Sequence, residues 1–205
     1  MRNRFKIWKF SKSRTEAFSD GVFAIIITLL ILEIKLPQLG NCSNSSELLA
    51  ELISLSPKII SWAVSFFFIA VMWVQHHNVF RMADKIDYGT VWINNVLLFF
   101  VCFLPFPTAL MGEYPNNRLA VLIFGLVGTL ASFMQVFLYA YVAKNNLHEH
   151  YNRKSVYKNV KRSFVLAPFL MVIAIGVSFI STWLPYLIYG FVPLFFLLPF
   201  DEDPE

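Results

Sequence analysis

Long apolar stretches alternate with short clusters of charge along this chain, and that segregation settles the fold class before any motif is considered. A helix that crosses a bilayer needs about 20 mostly apolar residues. Segments 57–80, 90–112, 119–143, 162–182 and 184–200 meet that requirement. The last two are joined around Ser181-Thr182-Trp183-Leu184-Pro185, which suits a tight helical hairpin. A soluble chain interleaves its charges to clothe its surface. Here 57% of residues are hydrophobic and 15% charged, and 22 are Phe, more than a soluble core of this size hides. The expectation is an all-α, polytopic membrane protein.

Segment 17–36 is the least apolar of the candidates. Its runs Val22–Ile27 and Leu29–Leu32 are divided by Thr28, and Ser19, Asp20, Glu33 and Lys35 stand at its ends. Hydropathy alone leaves it open to a re-entrant or interfacial reading, and its polar groups would face protein or water in preference to lipid. Loop charge resolves the count. Six spans place the N-terminal arm, loop 81–89 and loop 144–162 on one side, with fourteen of the 17 Lys and Arg residues; Lys35, Lys58 and Arg118 lie opposite. The basic side is cytoplasmic by the positive-inside rule, with both termini inside. Dropping the first segment would put the basic arm on the side of loop 35–58.

The expected organisation is a basic cytoplasmic arm (1–16), one six-helix transmembrane domain (17–200) and an acidic cytoplasmic tail (201–205). The net charge of +4 flanks apolar segments instead of lining one helix face, which fits phospholipid head groups and gives no nucleic-acid surface. The expected location is a membrane, the bacterial cell inner membrane. The first apolar run lacks a small-residue cleavage site and is not read as a removable signal.

Catalysis finds little support. There is no His-Glu-x-x-His, Cys-x-x-Cys, Gly-x-Ser-x-Gly or Gly-rich phosphate loop. Adjacent His76 and His77 point about 100° apart on a helix and do not share a ligand. His148-Glu149-His150 sits in a loop and reads as at most an adventitious metal catch, and Cys42 and Cys102 read as free thiols. Asn44-Ser45-Ser46 matches the glycosylation pattern but reads as a polar loop. No enzyme, cofactor or resident metal is expected.

Polar residues within the spans carry more information. Arg14, Ser19 and Asp20 read either as capping of the first helix or as members of a buried network with His76, Trp73 and Gln75 of the second span and Asn94 and Asn95 of the third. Three helices would then hold polar groups at one depth. Ile25, Thr28 and Leu32 recur at spacings of three and four and form one stripe, with Leu29 beside it. Such a stripe packs, faces lipid, or lines something; periodicity does not choose.

Arg14-Thr15-Glu16-Ala17-Phe18-Ser19-Asp20 resembles the Arg-x-x-x-Phe-Ser-Asp signature of the lysosomal-type potassium channel family, transmembrane protein 175 and its prokaryotic relatives. Trp73, His76 and Phe80 resemble the Trp-x-x-His-x-x-x-Phe pattern of that family's second helix. The resemblance implies a homotetramer around a central pore lined by the first helix, passing potassium without the backbone-carbonyl filter of ordinary potassium channels. The chain has room for one six-span repeat, as in the prokaryotic members. By position, Ile25 matches the family's hydrophobic constriction and Thr28 a pore-facing threonine, with Leu29 and Leu32 continuing the narrow section. Arg14, Phe18, Ser19 and Asp20 would hold the pore helix in place, supported by Trp73, His76 and Asn94. Glu33 is open to two roles, a vestibule carboxylate or a partner for Lys35. The implied partners are lipid, potassium ions and three further copies of the chain. Competing functions are a cation/proton antiporter and a non-transporting membrane scaffold.

Overall fold

The computed structural model describes residues 10–35, 44–146, 148–152, 156 and 166–197, and among these every regular element is helical. Helix α1 (Lys12–Leu29) runs into a 3-10 turn (Leu30–Glu33), followed by α2 (Ser45–Ser54), α3 (Ser56–Met82), α4 (Tyr88–Phe103) and α5 (Pro105–Glu113). Then come α6 (Arg118–Asn145), α7 (Leu166–Val177) and α8 (Leu184–Leu197). Among the described residues, four stretches are long and apolar enough to cross a membrane: Lys12–Glu33, Ser56–Met82, Tyr88–Glu113 and Arg118–Asn145. The last two expected spans correspond to the shorter apolar helices α7 and α8, of 12 and 14 residues; positions 162–165 and 198–200 of those spans lie outside the described residues.

Three local features depart from the sequence expectation. Helix α1 starts at Lys12, so Ser19 and Asp20 lie about two turns inside it and cannot cap its N-terminus. Ser11 holds the cap position, and nothing between Lys12 and Asp20 breaks the helix. Loop 35–58, between the first two expected spans, contains α2, whose first turn is capped by Asn44 Oδ1 accepting from Ser46 N at 3.1 Å. The third span is interrupted at Leu104. Pro105 has no N–H to continue the ladder, and the chain restarts there as α5.

One contiguous core joins these helices. Phe23, Ile26 and Leu30 of α1, Phe68, Ile69 and Met72 of α3, Phe124 and Leu138 of α6, Met171 of α7 and Tyr189 of α8 are all buried in it. Helices α6, α7 and α8 approach closely at Gly125, where an added Cβ would overlap Tyr189 Oη and stand 2.7 Å from Ile175 Cγ1. Tyr189 Oη in turn donates to Val121 O at 3.2 Å, so the phenol fills the space that glycine leaves and satisfies itself there. Outward-facing Trp92, Phe99, Phe103, Phe133 and Phe137 are exposed on the bundle. In lipid such rings incur no transfer penalty, because acyl chains are as apolar as they are. Packing therefore decides which residues turn inward.

Candidate functional site

The first helix is divided lengthwise. Ser19, Phe23, Ile26 and Leu30, at spacings of four, three and four, are buried against α3 and α4. The opposite half of the circumference is uncovered among the described residues: Phe18, Ile25, Thr28, Leu29 and Leu32 are all exposed, Ile25 at 60% and Leu32 at 66%. The stripe read from the sequence is therefore the free face.

The buried half is locked by a polar chain across three helices. Asn94 Nδ2 of α4 donates to Ser19 Oγ at 2.9 Å, and Ser19 Oγ donates to Thr15 O at 2.9 Å. Asn94 Oδ1 accepts from His76 Nε2 of α3 at 2.7 Å. An amide oxygen has no proton to give, so the imidazole must carry its hydrogen on Nε2. The His76 ring lies between Phe23 and Phe80, with centroid separations of 5.4 and 4.6 Å. Leaving one member of such a buried chain unpaired costs about 1–3 kcal/mol. A second link lies nearer the surface, where Trp73 Nε1 donates to Asp20 Oδ1 at 2.9 Å.

The structure thus brings Ser19, Asp20, Trp73, His76 and Asn94 together. Arg14 and Phe18 stand apart from them: both are exposed, and Arg14 makes no hydrogen bond or ion pair among the described residues. Asn95 is half-buried and does not join the chain.

On the free face, Thr28 Oγ1 donates back to Ile25 O at 2.8 Å, with Ala24 O also near at 3.1 Å. Its single proton is occupied within the helix, so its oxygen presents lone pairs outward. That is an arrangement suited to a cation and indifferent to an anion.

Sequence reasoning missed the clasp at the start of α4. Asp87 Oδ1 accepts from Thr90 N and Thr90 Oγ1, both at 2.8 Å, and Asp87 Oδ2 accepts from Tyr141 Oη of α6 at 3.0 Å. Asn146 Nδ2 donates to Thr90 Oγ1 at 2.8 Å, and Lys12 Nζ of α1 donates to Ala83 O at 2.8 Å. Partial burial pushes the Asp87 carboxyl up, but the hydrogen bonds from Thr90, Tyr141 and Asn146 outweigh it and hold it below the ordinary carboxylate range. The chain passes close to α6 here, since a Cβ on Gly89 would overlap the Tyr141 ring. An Asp just before an apolar run was the available signal. Among the described residues no group of three His, Cys, Asp or Glu side chains is placed to hold a metal ion.

The family model described as endosomal/lysosomal potassium channel TMEM175 matches residues 14–105. A potassium channel of Chamaesiphon minutus is 40% identical over 83% of this chain and 86% of its own length. The human endosomal/lysosomal proton channel TMEM175 is 34% identical over 53% of this chain, a match that spans 23% of the human protein. Among solved structures, that of a lysosomal potassium-selective channel TMEM175 homolog from Chamaesiphon minutus superposes with a TM-score of 0.80, at 35% identity, covering 91% of this chain and 96% of the other.

Proposed function

The chain belongs to the endosomal/lysosomal potassium channel TMEM175 family, and from that premise we propose that it is a passive potassium channel whose pore is walled by the free face of α1. Four copies would stand around the axis, each contributing six membrane helices, α4 and α5 together making the third. Ile25 would form a hydrophobic ring, Thr28 a ring of oxygen ligands, and Leu29 and Leu32 the rest of the narrow section. Ser19 and Asp20 anchor the helix, with Trp73, His76 and Asn94 as their support; Arg14 and Phe18, exposed in a single copy, would hold it through contacts with neighbouring copies. The observation that carries this reading is the lengthwise division of α1: one half is fixed by buried polar and apolar contacts, while the other half combines exposed apolar side chains with a hydroxyl whose proton is used within the helix.

A hydrophobic ring admits more readily the ion that sheds its water more cheaply, which is potassium over sodium, and it closes by dewetting. The hydroxyls of Thr28 would replace part of the lost hydration. No cofactor or resident metal enters this mechanism, and no enzymatic step. Segments 1–16 and 201–205 are read as cytoplasmic extensions of a single domain spanning 17–200. The membrane is read as the bacterial inner membrane, with both termini inside, from the bias of Lys and Arg.

Purified protein in liposomes tests the proposal, with potassium, sodium and proton gradients imposed separately. A channel passes potassium down its gradient with no counter-ion requirement. Obligatory exchange would replace the reading with an antiporter, and no flux in any gradient would leave a scaffold. A proton flux exceeding that of potassium would align this chain with its human relative, a proton channel, instead.

A further inference from the structure

A cavity of about 240 Å³ opens at the end of the bundle opposite Lys12, between the 3-10 turn that closes α1, the start of α3 and the end of α5. It takes no part in the pore reading, and its walls have a distinct chemistry. Trp62, Phe106 and Tyr114 supply three aromatic side chains, and Leu30 an apolar surface. Three charged groups also line it. Lys58 Nζ and Glu113 Oε2 meet at 2.5 Å and neutralise each other. Glu33 has no ion-pair partner among the described residues. Two carboxylates against one ammonium leave the pocket with a net charge of −1.

Aromatic faces attract a cation through the ring quadrupole, most effectively one that is weakly hydrated. An uncompensated carboxylate adds Coulombic attraction. Together they favour an alkylated ammonium over a potassium ion, which gains little from rings and would find only one free carboxylate. The volume lies just under the range of drug-sized sites, which suits a small head group. We propose that this pocket binds an organic ammonium group, of the kind carried by free amino alcohols and by zwitterionic phospholipid head groups. Leu30, Glu33 and Ile34 belong to or adjoin the terminal turn of α1, so occupancy reaches the first helix without entering the space beside its free face.

Thermal unfolding of the purified protein in detergent tests this, titrated with choline chloride or ethanolamine hydrochloride against equal concentrations of potassium chloride. The expected result is a saturable rise in midpoint for the organic cations beyond that of potassium. In Glu33→Gln and in Phe106→Ala the half-saturating concentration should rise about tenfold or more. In Ile25→Asn, which alters the free face of α1, it should stay unchanged; this separates failure of the pocket from failure of the pore reading. The two sources of the ammonium are distinguished in nanodiscs. Stabilisation by phosphatidylethanolamine over phosphatidylglycerol, lost in Glu33→Gln and leaving nothing for choline to add, assigns the site to a lipid head group. A choline effect equal in both lipids assigns it to a free amine. No saturable shift in detergent and none from phosphatidylethanolamine overturns the proposal. So does a shift that persists undiminished in both Glu33→Gln and Phe106→Ala.

Discussion

Replacing Asn94 by Ala should unlock the first helix, and the size of the effect follows from the bonds removed. Asn94 is fully buried and holds two partners that are equally so, Ser19 and His76. Its loss leaves His76 Nε2–H without the acceptor it meets at 2.7 Å, and a buried donor without a partner costs about 1–3 kcal/mol. Ser19 is hurt less. Its hydroxyl keeps the donation to Thr15 O at 2.9 Å and gives up only the bond it accepts, a net loss of about 0.5–1.5 kcal/mol. The sum is about 1.5–4.5 kcal/mol, on the order of 3–18 °C in unfolding midpoint for a chain of this size. Ser19→Ala retains the His76–Asn94 bond and should cost less than Asn94→Ala. Thermal unfolding monitored by tryptophan fluorescence reads both, with the half-buried neighbour Asn95→Ala as control. If Asn94→Ala melts with Asn95→Ala, the chain of hydrogen bonds is not what fixes α1, and the lengthwise division of that helix needs another cause.

For Ile25→Asn, a polar ring in place of an apolar one should raise sodium permeation relative to potassium in liposome flux; unchanged selectivity in an intact assembly would remove Ile25 from the constriction. Asp20→Ala releases Trp73 Nε1 and should weaken the assembled oligomer before it changes selectivity, as read by size-exclusion chromatography beside flux. A stable oligomer with altered selectivity would show that Asp20 acts on the ion path itself. The Asp87 clasp predicts a pH effect. Its folded-state pKa lies below the ordinary value, so its contribution is present above the unfolded pKa of about 4 and is lost as pH falls through the folded one. The drop in melting temperature between about pH 5 and pH 3 should therefore be smaller in Asp87→Asn than in the wild type. Finally, Gly125→Val would drive two methyl groups into Tyr189 and Ile175, and a loss of about 1–3 kcal/mol or failure to fold should appear in the same unfolding assay.

Much of this was legible in the sequence because a bilayer is a simple solvent. Runs of apolar residues long enough to cross it coincide with Ser56–Met82, Tyr88–Glu113 and Arg118–Asn145 almost to the residue, although the break of the third at Pro105 was not foreseen. The start of α1 was harder to place, since Ser19 and Asp20 have the chemistry of a cap while Ser11 occupies the position. Helix α2 was hidden because a ten-residue element beside polar loop residues carries no length signal. In the site, depth along each span predicted that Ser19, His76 and Asn94 could share a layer. The bond from Trp73 to Asp20 and the one from Tyr141 to Asp87 join residues more than fifty positions apart, and only packing reveals them. Periodicity likewise drew the Ile25–Thr28–Leu32 stripe correctly, but which side of α1 stays free depends on where α3 and α4 sit.

The division of α1 has a consequence for how such a protein can change over generations. A substitution at Ile25, Thr28 or Leu32 falls on exposed positions and disturbs no hydrogen bond to another helix among the described residues, whereas one at Ser19 or Phe23 disturbs contacts with α3 and α4. With that face walling the pore as proposed, variation in which ions pass, and how fast, would accumulate along one side of a helix while the other side preserves the architecture. A saturation-mutagenesis library sorted separately for expression and for ion uptake should split along that line, with positions of the two classes alternating around the helix at its own pitch.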